Sequence, residues 1–510
     1  MAGQRFTKPV KAVIITGVVG FLAAGSFIYY NTCILNDYVP KDREEARKAY
    51  YEKKYRTYKD IPLPRITDVK VEVDIFPEER RVELRGRYVM KNKTAVSIDT
   101  LHMSIPSIVT INSLELPDHE LVLADPELGY YIYALREPLA PDSSMTLDFD
   151  LTAENHGFVN NGSNIKIVRN GTFITNREYL PFLGYNKFEQ LHDRNTRRKY
   201  DLPPVERCPK IDDEFARRNT YFPTDADWIS FETTVSTCLD QIPVAPGNLL
   251  MEWIDGERRY FKYRMDVPML NFYSFLSADY TVKRDHWNDV DIEVYYHEPH
   301  HYNVDRMINA VKKSLDYYTR AFGPYQHQQV RIVEFPRYET YAQSFAGTIP
   351  YSESAGFITE VREGDDIDYI TYITAHEVAH QWWAHQVIGA DVQGATLLSE
   401  TLDQYSSLMV MEKEYGRENM RKFLKYELDT YLKKRGAELV EEMPLMLVED
   451  QPYIHYNKGS VVMYALRDYL GEDVLNRAIR QYRDVVAYQE PPYTTSREFL
   501  QYVRKGGHST

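Results

Sequence analysis

The chain has 510 residues, a formal net charge of −14, 43% apolar residues and three cysteines. That length suffices for two or three domains with sizeable cores, and the acidic balance argues against nucleic acid as a partner. Cys33, Cys208 and Cys238 are too few for a disulfide framework or a cysteine-based zinc site. A Cys208–Cys238 bridge and two unpaired buried thiols both stay open.

Residues 12–30 carry no charge and are long enough to span a bilayer. Arg5, Lys8 and Lys11 precede the run, and Tyr29 and Tyr30 close it as interfacial aromatics do. A cleaved signal peptide competes with an anchor, but Ala23-Ala24-Gly25-Ser26 is a poor cleavage site inside the run. A transmembrane anchor over 1–35 is therefore expected. Lys41, Arg43, Arg47 and Lys48 on the far side leave the positive-inside rule undecided.

Residues 36–61 read as a charged stalk, with a solvated helix over 40–59 dense in charge and tyrosine. Pro62 and Pro64 then open a different architecture. Val69, Val71, Val73 and Ile75 alternate, and Val82, Leu84, Tyr88 and Met90 follow the turn at Pro77-Glu78-Glu79. Asn161-Gly162 and Asn170-Gly171 are hairpin signals, the second between 165–167 and 173–174. Residues 62–287 thus read as a mainly antiparallel β domain. From 288 the pattern changes to a strand over 290–296, a helix over 304–322, a strand over 330–335 and further helices, so 288–510 is α+β. A last helix begins near Ser496, and Gly506-Gly507-His508 is compatible with truncation.

The densest chemistry is His376-Glu377-Val378-Ala379-His380, followed by Glu400 within Ser399-Glu400-Thr401-Leu402. Residues i and i+4 of a helix share a face, so His376 and His380 can offer imidazole nitrogens to one metal ion. Glu377, about 100° round the helix, falls beside that ion and can take a proton from water. Glu400, from a helix expected over 398–413, completes three ligands and leaves a fourth position open, as a catalytic zinc needs. Asp365, Asp366 and Asp368 stand where acids favour the start of a helix. Trp383 and Gln386 occupy positions where a metzincin needs Gly and His. His385, five residues past His380, is off the ligand face. Asp403 is either a partner orienting a ligand histidine or a solvated surface carboxylate.

With these residues in view the chain resembles the zinc aminopeptidases of the membrane alanyl aminopeptidase type, within the gluzincins. HEVAHQWW at 376–383, Tyr456-Asn457-Lys458-Gly459 and Glu353, 23 residues before His376, carry the resemblance. It is closest to peptidase domains fused to bacterial ABC-type transporter permeases, which makes such a permease an expected partner. The resemblance implies a saddle-like N-terminal β domain, a thermolysin-like catalytic domain and one zinc ion per chain. It also implies an oxyanion-stabilising role for Tyr456, an amine-binding role for Glu353, and a catalytic domain facing the periplasm or exterior. Two departures stand out. The family places 18 residues between the second histidine and the glutamate ligand. Here there are 19, as in thermolysin-type enzymes, so Ser399 falls at the expected position. Slack in the small-residue loop Gly389-Ala390 through Gly394-Ala395 is expected to absorb the extra residue. The family's Gly-x-Met-Glu-Asn is replaced by Pro350-Tyr351-Ser352-Glu353-Ser354.

The expected function is a membrane-anchored zinc metallopeptidase acting on peptides, most simply an aminopeptidase. A thermolysin-like endopeptidase and a low-activity peptide-binding module of a transporter are the alternatives.

Overall fold

The computed structural model describes residues 8–162, 165–222, 226–362 and 367–507. Asp365 and Asp366 lie outside them. The chain opens with helix α1, Lys8–Tyr29, none of whose residues is buried. With the π-helical turn Tyr30–Leu35 it forms one helix long and apolar enough to cross a membrane.

The stalk is not solvated. Helix α2, Lys41–Tyr55, lies against the β domain with Ala49, Tyr51, Glu52 and Tyr55 buried. The Tyr55 ring stacks on Tyr130 at 4.1 Å, and the Tyr51 ring stacks on Tyr185 at 5.3 Å. Glu52 receives both terminal nitrogens of Arg197, at 2.9 and 2.7 Å, with both side chains almost fully buried. The charges of α2 concealed this face, because its most telling polar member, Glu52, is itself buried and paired.

The β domain is built on a large sheet ordered Asn248–Asp255, Arg258–Arg264, Trp228–Cys238, Arg65–Phe76, Arg81–Lys91, Ser144–Glu154 and Val109–Glu115. The expected alternation holds: Val69, Val71, Val73 and Ile75 are buried on one face with Val82, Leu84, Tyr88 and Met90. Most pairs are antiparallel, but Arg65–Phe76 pairs in parallel with Trp228–Cys238. Two hairpin expectations fail. Thr172–Thr175, after Asn170-Gly171, pairs with Ser274–Ala278, and 165–167 is not a strand, although the Phe173 N–H donates to Lys166 O. Among the described residues Asn161-Gly162 likewise joins no pair of strands, and the neighbouring Asn160 Nδ2 donates to Val39 O, shortly after the apolar N-terminal helix. Cys33, Cys208 and Cys238 are all free thiols.

The second sheet, Thr281–Trp287, Val290–Tyr296, Gln329–Phe335 and Thr348–Ser352, begins ahead of residue 288. Residues 342–345 fold back antiparallel beside its last strand, bridging Ala342 to Tyr351 and Phe345 to Thr348. Helix α3, Val304–Phe322, and helix α4, Tyr369–Ala379, run alongside each other, tied by Arg306 to Asp368 at one end and by Tyr318 OH to Ala375 O at the other. Next come α5 (Leu402–Tyr415), α6 (Met420–Arg435), α7 (Gly459–Leu470), α8 (Glu472–Val486) and α9 (Ser496–Gly507). One apolar core joins this sheet to its helices, with Trp382 and Trp383 at 0% exposure.

Candidate metal centre

Helix α4 starts on Asp368, whose carboxylate accepts the Thr371 N–H at 3.0 Å and so caps an otherwise unpaired donor. It ends at Ala379, so His376 lies in its last turn and His380 is the residue that caps it. The two tryptophans that follow pin this end. Trp382 Nε1 donates to Gly323 O at 3.0 Å, just past α3, and Trp383 Nε1 donates to Ser406 Oγ of α5 at 3.0 Å. Gln381 holds the folded-back arm, with Nε2 donating to Ser344 Oγ and Phe345 O and Oε1 accepting the Gly347 N–H.

Glu400 sits in a π-helical turn, Leu397–Thr401, that runs directly into α5. Its Oε2 lies 3.5 Å from His376 Nε2 and 3.6 Å from His380 Nε2. Adjacent ligands on a tetrahedral ion with bonds of about 2.1 Å stand about 3.4 Å apart, so the three atoms fit a zinc ion between them. Glu400 Oε2 is buried and accepts no hydrogen bond, as suits a carboxylate oxygen that could bind a metal. Asp403, at 0% exposure, places Oδ2 2.5 Å from His380 Nδ1, which also lies 3.1 Å from Trp383 O. Of the two sequence readings of Asp403, the orienting partner is the one observed.

Glu377 is buried beside the trio, with Oε2 unpartnered. Burial raises its pKa above the ordinary carboxylate range, against the pull of His376 and His380. Burial also works to raise Glu400, but His380 and His376 outweigh it and hold that carboxyl down at about 2. A second π-helical turn, Tyr453–Lys458, carries Tyr456, whose ring lies 6.0 Å from that of His376. Burial, then the negative charges of Glu400 and Glu377, push the phenol pKa up, so it stays a proton donor. The two π turns touch closely. A Cβ on Gly459 would come within 2.7 Å of Thr401 Oγ1 and 2.8 Å of Thr401 Cγ2, which explains a glycine there. Lys458 reaches away to Glu442 at 2.5 Å, so its role is to fasten the loop after α6.

Glu353 is not brought to this centre. It opens a π-helical turn after the last strand, where Asn303, next to the start of α3, donates to Gly356 O. Asp368, which starts α4 at that same end, precedes His376 by eight residues, about 12 Å along the axis. The neighbours of Glu353 are instead His300 and Glu334. Both Glu334 oxygens already have donors, His300 Nδ1 and the His297 N–H, so that trio is satisfied without an ion.

Residues 306–505 match the family model described as Peptidase family M1 domain. Over 190 residues the chain is 25% identical to "Endoplasmic reticulum aminopeptidase 2" of Homo sapiens, covering 36% of this chain and 20% of that protein. It is 26% identical over 189 residues to "Probable aminopeptidase 1" of Sulfurisphaera tokodaii, covering 34% and 23%. The chain thus spans about a fifth of the length of these curated relatives. A crystal structure of an M1 zinc metallopeptidase from Deinococcus radiodurans superposes with a TM-score of 0.60 at 12% identity, over 88% of this chain and 93% of that one. Its likeness is one of fold, a mixed α+β architecture.

The matched region contains the candidate ligands, Glu377 and Tyr456, but not every residue packed around them. Tyr221, from the loop before Trp228–Cys238, donates its hydroxyl to Ser399 Oγ at 2.8 Å, beside Glu400. Ser344 of the folded-back arm donates to Glu377 O at 2.9 Å, and His385 Nε2 lies 3.2 Å from Ser344 O. His385 is therefore a support and not a ligand. Burial holds it neutral, with its pKa lowered to about 4. No motif announced Tyr221 or Ser344, because both arrive through long-range folding.

Proposed function

We propose that this chain is a zinc metallopeptidase of the M1 type, held to a membrane by its N-terminal helix, with one zinc per chain on His376, His380 and Glu400. The observation that carries the reading is the convergence of three ligand atoms with a buried Glu377 beside them whose Oε2 has no partner. When bound, the ion's chemistry is polarisation of a carbonyl and acidification of water toward neutral pH.

The chain's own groups divide the remaining work. Glu377 takes the proton of the attacking water and returns it to the departing amine. Its raised pKa makes it a better acceptor in the first of those transfers than an ordinary carboxylate. Tyr456 donates its phenolic hydrogen to the carbonyl oxygen as charge gathers there, a contribution whose loss costs about 10²–10³ in rate. Asp403 and the Trp383 carbonyl fix the His380 ring, and the tryptophan pair fixes the helix end that bears it.

Hydrolysis from a free N-terminus is supported by the aminopeptidase names of the relatives. An internal-cleavage reading is favoured by one observation, the position of Glu353, which lies with His300 and Glu334 and not with the zinc ligands. The resemblance alone supports a periplasmic or exterior face for the catalytic domain.

The test compares the full chain with Glu377→Gln, measuring zinc content and hydrolysis of an aminoacyl fluorogenic substrate and its N-acetylated counterpart. One zinc in both proteins, with turnover of the free-amine substrate lost in the variant, is the expected result. Cleavage of blocked peptides by the unmodified chain moves the reading to an endopeptidase. Undiminished turnover in the variant overturns the role of Glu377.

A further inference from the structure

Helix α6 is held to the body by few residues: only Met420, Phe423 and Glu427 are buried in it. Glu427 is the unexpected member, a carboxylate at 3% exposure. Its Oε2 accepts from Asn457 Nδ2 at 2.6 Å. Its Oε1 lies 3.3 Å from Tyr372 OH, which itself lies 2.5 Å from Gln404 Oε1.

Each of these partners adjoins a residue of the metal centre. Tyr372 stands one helical turn before His376, Gln404 follows Asp403, and Asn457 follows Tyr456. One buried carboxylate therefore joins the three segments that must keep their spacing for proton donor, base and ligands to face one point. Burying a carboxylate on neutral partners is costly, so a purely space-filling role is poorly served by it.

We propose that Glu427 is a positioning residue for Tyr456, acting through Asn457 to set the Tyr453–Lys458 turn against α4 and α5. This rests on the peptidase reading for its kinetic consequence but not for its structural one. Complete loss of an oxyanion donor costs about 10²–10³, so loss of its alignment is expected to cost about 10- to 100-fold in kcat with KM little changed.

The experiment is a double-mutant cycle in the full chain between Glu427→Ala and Tyr456→Phe, with zinc content and hydrogen exchange followed in the same samples. The expected result is a kcat loss for Glu427→Ala that nearly vanishes in the Tyr456→Phe background, unchanged zinc, and faster exchange confined to 453–458 and the adjoining turn of α4. Glu427→Gln, which keeps an acceptor for Asn457, should recover most of the rate. Equal losses in both backgrounds overturn the proposal. If Glu427→Ala does not fold, Asn457→Ala cuts the same link and must show the same pattern. If the unmodified chain hydrolyses nothing, the peptidase reading fails, and exchange at 453–458 still decides: no change there on Glu427→Ala overturns the positioning role.

Discussion

Replacing Glu52 with alanine tests how α2 is held. Arg197 donates to both Glu52 oxygens, and also to Leu191 O and Pro203 O. Its side chain is 3% exposed and that of Glu52 is 1% exposed. Removing the carboxylate leaves a buried guanidinium on two carbonyls with its charge uncompensated, a situation that costs about 3–5 kcal/mol. The loss falls on a short helix with only three other buried residues, two of them tyrosines worth about 1.5–3 kcal/mol each. Local undocking is therefore expected before global unfolding. In the full chain in detergent, exchange of amides over 41–55 should accelerate about 10²- to 10⁴-fold in Glu52→Ala, while amides of the large sheet keep their protection. The double replacement Glu52→Leu with Arg197→Met removes both charges and should restore most of the protection. Unchanged exchange in Glu52→Ala would refute the view that this pair holds α2 down. An equal effect from the double replacement would show that packing, not uncompensated charge, sets the cost.

Three further outcomes follow from the site and the core. Gly459→Ala drives Cβ into Thr401, so turnover should fall at least about 10-fold with zinc retained, and adding Thr401→Ala should recover it; no recovery would remove steric spacing as the cause. Asp403→Ala should weaken zinc binding about 10- to 100-fold in a chelator competition, and an unchanged affinity would deny it the orienting role. Burial holds His102 neutral, with its pKa lowered to about 4, while it contacts Tyr130 OH at 3.0 Å. The unfolded chain takes up that proton first, so the contribution is complete above about pH 6.5 and is lost as pH falls toward 4, about 3 kcal/mol in all. His102→Gln should flatten the stability profile across that window, and an unaltered slope would assign it to other groups.

What the sequence made legible was whatever depends on near neighbours. The strand Val290–Tyr296 and the helix Val304–Phe322 fall where their patterns put them. His376, His380 and Glu377 needed only helical geometry, and Glu400 and Tyr456 needed only their motifs. Residues set by distant folding were silent: Tyr221, Ser344 and Glu427 contact residues in or next to the centre from other segments, with no local signature. Glu353 stands with His300 and Glu334, a placement that counting back from His376 does not reveal, because it ignores the arm 342–345 beside α4. In α2 a signal was present. Tyr51 and Tyr55 are four apart with Glu52 on the same side, but charge density on the remaining faces outweighed it.

The π-helical turn bearing Glu400 offers a second place to store the nineteenth residue of the spacing. A residue added to an α-helix swings everything after it by about 100°, which would have carried Asp403 and Tyr405 off their faces. A wide turn takes up the surplus in place, as π-bulges at functional sites do. The loop 389–395 has no slack to offer: Gly394 N–H donates to Val448 O, and Ala390 N–H to Thr494 O. Shortening the chain by one residue within Leu397–Ser399 should therefore tighten the turn to ordinary α pitch and leave a working metal centre, whereas the same deletion between 389 and 395 should abolish zinc binding.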